Sequence, residues 1–323
     1  MPKINIAWWN LENLFDHETA PRDIELKSEL KSELKGWTRD MKDKKISQIS
    51  KIVRMMFDGQ GPSLFGVCEA ENETVLKELS ETLGIGNRDY AVVPHASQDA
   101  RGIDTSFIID RNELTVLDTA HQVVIKRSAT RDIFWIHCRV NKTGADFIAI
   151  ANHWPARSAG QYASEPFRIL AGETQAYIVS RLLDKNRGGR SDLPIISMGD
   201  FNDEPFNRSL QEYTRGTRDP GRVRYSKSGH LLNLMWPLMK GHDPGTYLFS
   251  SDWNMLDQFL VSKGMLLTDS PIRVDQNSVQ IFKPTPLIGR GGRPRRFSRP
   301  SARSGPDLEG YSDHFPITVQ LEV

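Results

Sequence analysis

Cysteine is nearly absent: only Cys68 and Cys138 occur in 323 residues, and each sits inside an apolar run. Two such thiols build neither a disulfide framework nor a cysteine-rich zinc site, and their setting fits core residues in a reducing compartment. Long hydrophobic runs are missing too. No stretch approaches the roughly 18 apolar residues a membrane-spanning helix needs, and Met1 leads into a strand pattern without a basic-then-apolar leader. The expectation is a cytoplasmic protein with no membrane role. A dominant charge is also lacking: 42 Lys and Arg against 41 Asp and Glu leave a formal net charge of +1, so global electrostatics selects no partner. Nothing in the periodicity calls for a dimer, and a monomer with one domain over 1–323 is expected.

What the sequence does have is alternation. Ile4, Ile6 and Trp8 alternate with Asn5, Ala7 and Trp9, a period of two that predicts a strand ending at Asn10. Further strands are predicted over 64–69, 90–94, 103–110, 132–140, 146–153, 194–200, 255–262 and 316–323. Helical spacing appears in Ile46, Ile49, Ile52, Val53 and Met56, again in Val75, Leu76, Leu79 and Leu83, and in Phe167, Leu170, Ala171, Thr174, Ile178 and Leu182. Helices interrupt strands without strict alternation, as in two antiparallel-rich sheets packed together with helices outside.

Two segments break this pattern. Residues 25–35 read ELKSELKSELK, a charged repeat too short for a coiled coil, expected as a solvated helical turn or flap within an 18–40 insertion. Residues 289–303 carry Arg290, Arg293, Arg295, Arg296, Arg299 and Arg303 among glycines and prolines with no acidic residue. They are expected as a mobile basic loop within 286–306.

Chemistry concentrates at strand ends. MGDFNDEP follows the apolar run 194–196; Asp200 and Asn202, two apart in extended chain, leave one face together. A carboxylate can hold a hard metal or take a proton from water, and an amide N–H can hold a phosphate oxygen without repelling it. GYSDHFP precedes the last strand, placing Asp313 and His314 at a strand entrance beside Pro316; His exchanges protons near neutral pH and an Asp can orient it. Glu69, Asn152 with His153, and Asp257 each close or open a further apolar run. Taken singly, each is equally at home in a structural turn.

In this order and together, the stretches resemble the endonuclease/exonuclease/phosphatase superfamily, which includes deoxyribonuclease I, exonuclease III and the apurinic endonucleases. The resemblance runs from WWNLEN through GVCEAEN, RGIDTSFII, ANHW and GDFNDEP to LDQFLVS and GYSDHFP, essentially the whole chain. It implies an α/β fold: a four-layered α/β sandwich of two packed mixed β-sheets flanked by helices, with a Mg²⁺ or Mn²⁺ site at one edge. By motif position it makes Glu69 the principal metal carboxylate, sets Asp313 close to the metal, and has Asn10 help place metal or phosphate. Asp200 and Asn202 resemble the pair that handles the attacking water and scissile phosphate. His314, oriented by Asp257, is similar to the proton-transferring or phosphate-stabilising imidazole, and His153, with Asn152 beside it, to the second histidine of deoxyribonuclease I. Whether a His or an Asp is the base differs among members and stays open. Arg101 and Asp104 resemble a bacterial form expected near the phosphate, with Asp104 orienting His153. Cys68 departs from the Gln of many relatives, which puts one supporting hydrogen bond in doubt.

Family substrates include DNA, RNA, inositol phosphates and sphingomyelin. LDQFLVS differs from the Cys-Asp-Arg signature of inositol polyphosphate phosphatases, and no exposed aromatic hairpin suited to a bilayer is evident, as a sphingomyelinase would need. The Arg-rich loop just upstream of Asp313 can grip a phosphate backbone through Arg293, Arg295 and Arg296, with Phe297 stacking on a base. A nuclease with DNA or RNA as partner is expected. The alternatives are a phosphatase or phosphodiesterase on a small phosphorylated substrate, and a catalytically silent nucleic-acid-binding module.

Overall fold

A computed structural model describes residues 2–22, 31–97, 102–127, 129–158, 160–226, 229–241 and 244–323. In chain order the strands are β1 (Lys3–Leu14), β2 (Leu64–Ala70), β3 (Tyr90–Val93), β4 (Asp104–Asp110), β5 (Leu114–Gln122), β6 (Ile133–Val140), β7 (Asp146–His153) and β8 (Ile195–Asp200). They continue with β9 (Gly216–Thr217), β10 (Leu231–Asn233), β11 (Tyr247–Phe249), β12 (Asp252–Asn254), β13 (Asp257–Val261), β14 (Arg273–Ile281) and β15 (Ile317–Glu322). Helices α1 (Arg39–Val53), α2 (Glu73–Leu83), α3 (Gln161–Leu183) and α4 (Pro220–Tyr225) intervene.

One sheet runs β14-β15-β1-β2-β4-β3 and the other β5-β6-β7-β8-β13-β10-β9, while β11 and β12 form a separate hairpin. Parallel pairing of β1 with β2 and of β7 with β8 inside otherwise largely antiparallel ladders makes both sheets mixed. The alternation in β1 divides its side chains between two cores. Ile4, Ile6 and Trp8 enter the core between the sheets, whereas Ala7, Trp9, Leu11 and Leu14 meet the apolar faces of α1 and α2. On the far side, Ile148, Ile150 and Ile195 pack against Ala171, Ile178 and Val179 of α3. The result is the predicted stack of helix, sheet, sheet and helix. At Gly66 the sheets come so close that a Cβ would meet the Trp8 ring at 2.7 Å and the Met198 sulfur at 2.9 Å, so any side chain there would push the layers apart.

The predicted strands are all present, with ends moved by a few residues. The spacing did not reveal β5 and β14, which are edge strands with largely exposed or half-buried residues; with one ladder open and little burial, they need no apolar alternation.

The two anomalous segments pack on each other. Residues 25–30 lie outside the described residues, but Leu34 and Trp37 beyond them are buried with Phe15, Ile103 and Phe297. The basic stretch is therefore folded against the body of the protein, and Phe297, expected to stack on a base, is instead fully buried edge-on to Trp37. Its arginines find acids from elsewhere in the chain: Arg295 pairs with Asp307 at 2.9 Å, Arg299 with Glu33 at 2.8 Å and Arg296 with Glu12 at 2.7 Å.

Candidate active site

Sheet register brings the chemistry together. In the β7–β8 ladder His153 lies opposite Asp200, and in the β8–β13 ladder Asp257 lies opposite Asp200. The three residues form one row across the sheet edge, at the ~4.8 Å spacing of neighbouring strands. From the facing sheet, β1 brings Asn10 and β2 brings Glu69, both where their ladder is broken by irregular register. Glu69 holds a left-handed φ of 62° and Asn202 one of 51°, conformations that cost non-glycine residues free energy and that gather at functional sites.

The cleft has a volume of about 680 Å³ and is lined by Asn10, Glu69, His153, Asp200, Asn202, Asp313 and His314 among others. Several of these groups are held by hydrogen bonds. The Asp200 carboxylate accepts from Asn10 Nδ2 at 3.1 Å and from the Asn202 backbone N–H at 2.9 Å. Glu69 Oε2 accepts the Asn13 N–H at 3.0 Å, and Asn202 Nδ2 donates to the Trp154 carbonyl at 3.0 Å. His314 Nδ1 meets Asp257 Oδ2 at 2.7 Å, and the other Asp257 oxygen accepts from Trp8 Nε1 at 3.0 Å. Gaps remain where a ligand would enter. Asp200 Oδ2 lies 3.8 Å from His153 Nε2 and 3.9 Å from His314 Nε2, and Glu69 Oε1 lies 3.7 Å from His153 Nε2. Such separations are too long for hydrogen bonds and too short to hold an atom on the line between the groups, so a water or phosphate oxygen would meet both partners from the open side of the cleft.

Burial and charge set two protonation states apart. Burial alone would push the His314 imidazole down, but the charge and hydrogen bond of Asp257, joined by the charges of Asp200 and Asp313, carry it up to about 10. Burial raises Asp200 to about 6, against the lowering effects of His314 and of hydrogen bonds from Asn202 and Asn10. Between these values the site holds an imidazolium beside a carboxylate, the separation of acid and base expected of a hydrolytic centre.

The other sequence candidates among the described residues do not line the cleft. Asn152 is fully buried, donating to Ser197 Oγ at 2.9 Å and accepting from Trp154 Nε1 at 3.0 Å; it braces the strand end from behind and does not reach the cleft. Asp104 is buried at the start of β4 and accepts from Ser97 Oγ. Arg101 lies outside the described residues. Arg293 Nε bonds the Arg290 carbonyl at 3.2 Å and Arg295 is committed to Asp307, neither lining the cleft. Arg296 comes within 3.7 Å of Asp313.

The sequence reading missed several groups. Glu12 is buried and gathers Arg296, the Phe297 and Ser298 N–H groups and, at its carbonyl, the Lys45 ammonium. Burial first, then Asp313, raises its pKa. Its place in WWNLEN was the available signal. Arg157, four residues past His153, ties the Asn202 carbonyl at 2.7 Å to Asn254 at 3.0 Å and Asp203 at 3.1 Å. The β11–β12 hairpin was not foreseen, yet it walls the cleft with Tyr247, whose ring lies 4.7 Å from that of His314, and with Phe249, 65% exposed. An exposed aromatic hairpin therefore exists, facing the cleft mouth.

Among the described residues no three His, Cys, Asp or Glu groups form a ready-made metal cage. Glu69 and Asp313 do share the cleft, with the Asn10 and Asn202 amides beside them and no thiolate. That donor set matches a hard cation which completes its shell with water and substrate oxygens, the habit of Mg²⁺, and does not match a closed zinc site.

A family model described as the endonuclease/exonuclease/phosphatase family matches residues 5–323. Solved structures with the same fold include a mannosyl-6-phosphatase from Bacteroides thetaiotaomicron, at 17% identity and TM-score 0.58, covering 99% of this chain and 100% of that one. The human Nocturnin catalytic domain with bound sulfate matches at 15% identity and TM-score 0.52, covering 99% and 94%. D. rerio TDP2 complexed with a single-strand DNA product matches at 12% identity and TM-score 0.55, covering 99% of each chain. No curated protein sequence matches the chain.

Proposed function

Because the chain belongs to the endonuclease/exonuclease/phosphatase family, whose members hydrolyse phosphoester bonds, we propose that it is a divalent-metal-dependent nuclease cleaving phosphodiesters in DNA or RNA. The observation that carries this reading is the convergence of His153 Nε2 and His314 Nε2 on one oxygen of Asp200, at 3.8 and 3.9 Å. The three groups face the same cleft, so one phosphoryl oxygen or water approaching from its open side would come within reach of two imidazoles and a carboxylate.

The roles follow from the charge states. Asp200, ionised above about 6, orients the attacking water and takes its proton. His314, protonated up to about 10, donates a charge-assisted hydrogen bond to the phosphoryl oxygens as charge builds on them, while the P–O bond opposite the entering water breaks and the departing alkoxide takes a proton from solvent water. Asp257 fixes the His314 ring and its charge, while Trp8 and the Thr246 hydroxyl at 3.1 Å hold Asp257. His153 approaches the Asp200 oxygen that His314 also faces, while the Asn202 N–H holds the second Asp200 oxygen at 2.9 Å and so orients the carboxylate toward the substrate. Glu69 and Asp313, with Asn10, would hold Mg²⁺ or Mn²⁺, which when bound supplies charge neutralisation at the phosphate and a more acidic water.

Substrate preference rests on the cleft wall. Tyr247 and exposed Phe249 offer flat apolar faces beside the phosphate position, suited to an unpaired base. Incubation with Mg²⁺ or Mn²⁺, and then with chelator, on plasmid, single-stranded DNA, RNA and a sugar phosphomonoester tests the proposal. Metal-dependent cleavage of a polynucleotide is expected. Turnover of the phosphomonoester alone would reassign the protein as a phosphatase on small substrates, and no turnover at all would make it a silent binding module.

A further inference from the structure

A second cavity, about 630 Å³, lies at the other end of the β8-to-β9 half of the sheet and is lined by Arg215, Arg218, Arg222, His230, Trp236 and Glu212 among others. It shares no lining residue with the catalytic cleft. The ladders fix its place. Asp257, at the cleft, opens β13, whereas Val261, at the other end of β13, pairs with Leu232, and Leu231 pairs with Gly216. Four residues of strand, roughly 13 Å, separate the two ends of β13 before the lateral offset of β10 and β9 is added.

The cavity is cationic. Three guanidiniums line it, and its one acidic residue, Glu212, pairs with Arg208 at 3.2 Å. Arg218 is set over the Trp236 ring, 5.6 Å from its centroid, an arrangement that pre-orients the fork of donors. Arg215 holds a left-handed φ of 60° and accepts the Leu231 N–H at 3.1 Å through its carbonyl, so sheet pairing keeps it in a conformation that an arginine rarely adopts. Burial, then Arg222 and Arg215, lowers the affinity of His230 for a proton.

We propose that this pocket is a phosphate-binding subsite separate from the hydrolytic cleft, taking the phosphate of a nucleotide, either free or within a polynucleotide strand. Guanidinium forks match phosphate oxygens bidentately. The volume exceeds what a bare phosphate fills and falls in the range of small-molecule pockets, while the indole edge adds apolar surface for the rest of a nucleotide.

Calorimetric titration with AMP, inorganic phosphate and a short oligodeoxynucleotide, in chelator so that no hydrolysis intervenes, tests it. The partners are wild type, the Arg218→Ala/Arg222→Ala double variant, whose changed side chains are exposed, and His314→Ala. The double variant is expected to weaken AMP or oligonucleotide binding at one site by about tenfold or more and to leave metal-dependent hydrolysis of a small phosphodiester unchanged. His314→Ala should keep that binding. A loss confined to the oligonucleotide assigns the subsite to a polynucleotide strand, and a loss shared by AMP assigns it to free nucleotide as well. Binding of all three probes unaltered in the double variant, or abolished by His314→Ala alone, overturns the proposal.

Discussion

Replacing Asp257 by Asn keeps the shape of the group beneath His314 and removes its charge. In the native protein His314 is carried up to about 10 from an ordinary 6.5, with Asp257 the strongest upward influence and burial working against it. At ~1.4 kcal/mol per pH unit, that difference corresponds to ~5 kcal/mol favouring the imidazolium. With Asp257 neutral, the burial penalty persists and the charges of Asp200 and Asp313 oppose it. The imidazole is then expected to titrate at least about 2 pH units lower, a loss of ~3 kcal/mol. NMR titration of the His314 ring in metal-free protein reads the shift directly. Hydrolysis should fall by roughly 10²- to 10⁴-fold, as a neutral and reoriented ring no longer matches the charge growing on the phosphate. Linkage adds a second readout. Because the folded-state value is raised, the native pair stabilises the protein fully below about 6.5 and loses that contribution as pH rises through about 10. The stability gap between wild type and variant should therefore be widest below neutrality and close in strong alkali. A His314 that still titrates near 10 in the variant, or hydrolysis within about threefold of wild type, would refute the argument.

Three further outcomes follow from the same geometry. Activity should rise with pH through about 6 as Asp200 ionises, and Asn10→Ala, which deletes a hydrogen bond favouring the charged form, should move that limb of the pH–rate profile upward; an unmoved limb assigns the ionisation to another group. Glu69→Gln and Asp313→Asn should each raise the Mn²⁺ concentration for half-maximal activity by about tenfold or more, and an unaltered metal titration in both would remove them from the cation's shell. Phe297→Ala should cost ~3–5 kcal/mol in denaturant unfolding, since the ring is fully buried; a fully stable variant with weakened nucleic-acid binding would restore the stacking role.

The sequence made the central architecture legible because the inner strands bury both faces and their hydrophobic pattern is strong, as in β1 and β8. Most of the candidate cleft was legible through order and not through any one residue: Asn10, Glu69, His153, Asp200 and His314 close or open apolar runs, each at home in a structural turn when taken singly, and only their succession along the chain resembles the family's site. The rest depended on contacts between distant segments. Nothing local to the basic stretch shows that Glu12, Glu33 and Asp307 would claim its arginines, or that Trp37 would cover Phe297. Asn152 was misplaced beside its neighbour His153 because adjacent strand residues face opposite sides, and the ladder gives the cleft to only one of them. The β11–β12 hairpin, three residues to a strand, is too short to leave a period.

The row of His153, Asp200 and Asp257 is set by main-chain pairing, and this limits how the protein can change. A slip of one residue in β13 would turn Asp257 to the reverse side of the sheet, so a lineage could not retune the distances between these groups gradually. New specificities would have to arise at the margins, in the connections such as the Tyr247–Phe249 segment that border the opening, while the reactive row stays as the ladder dictates.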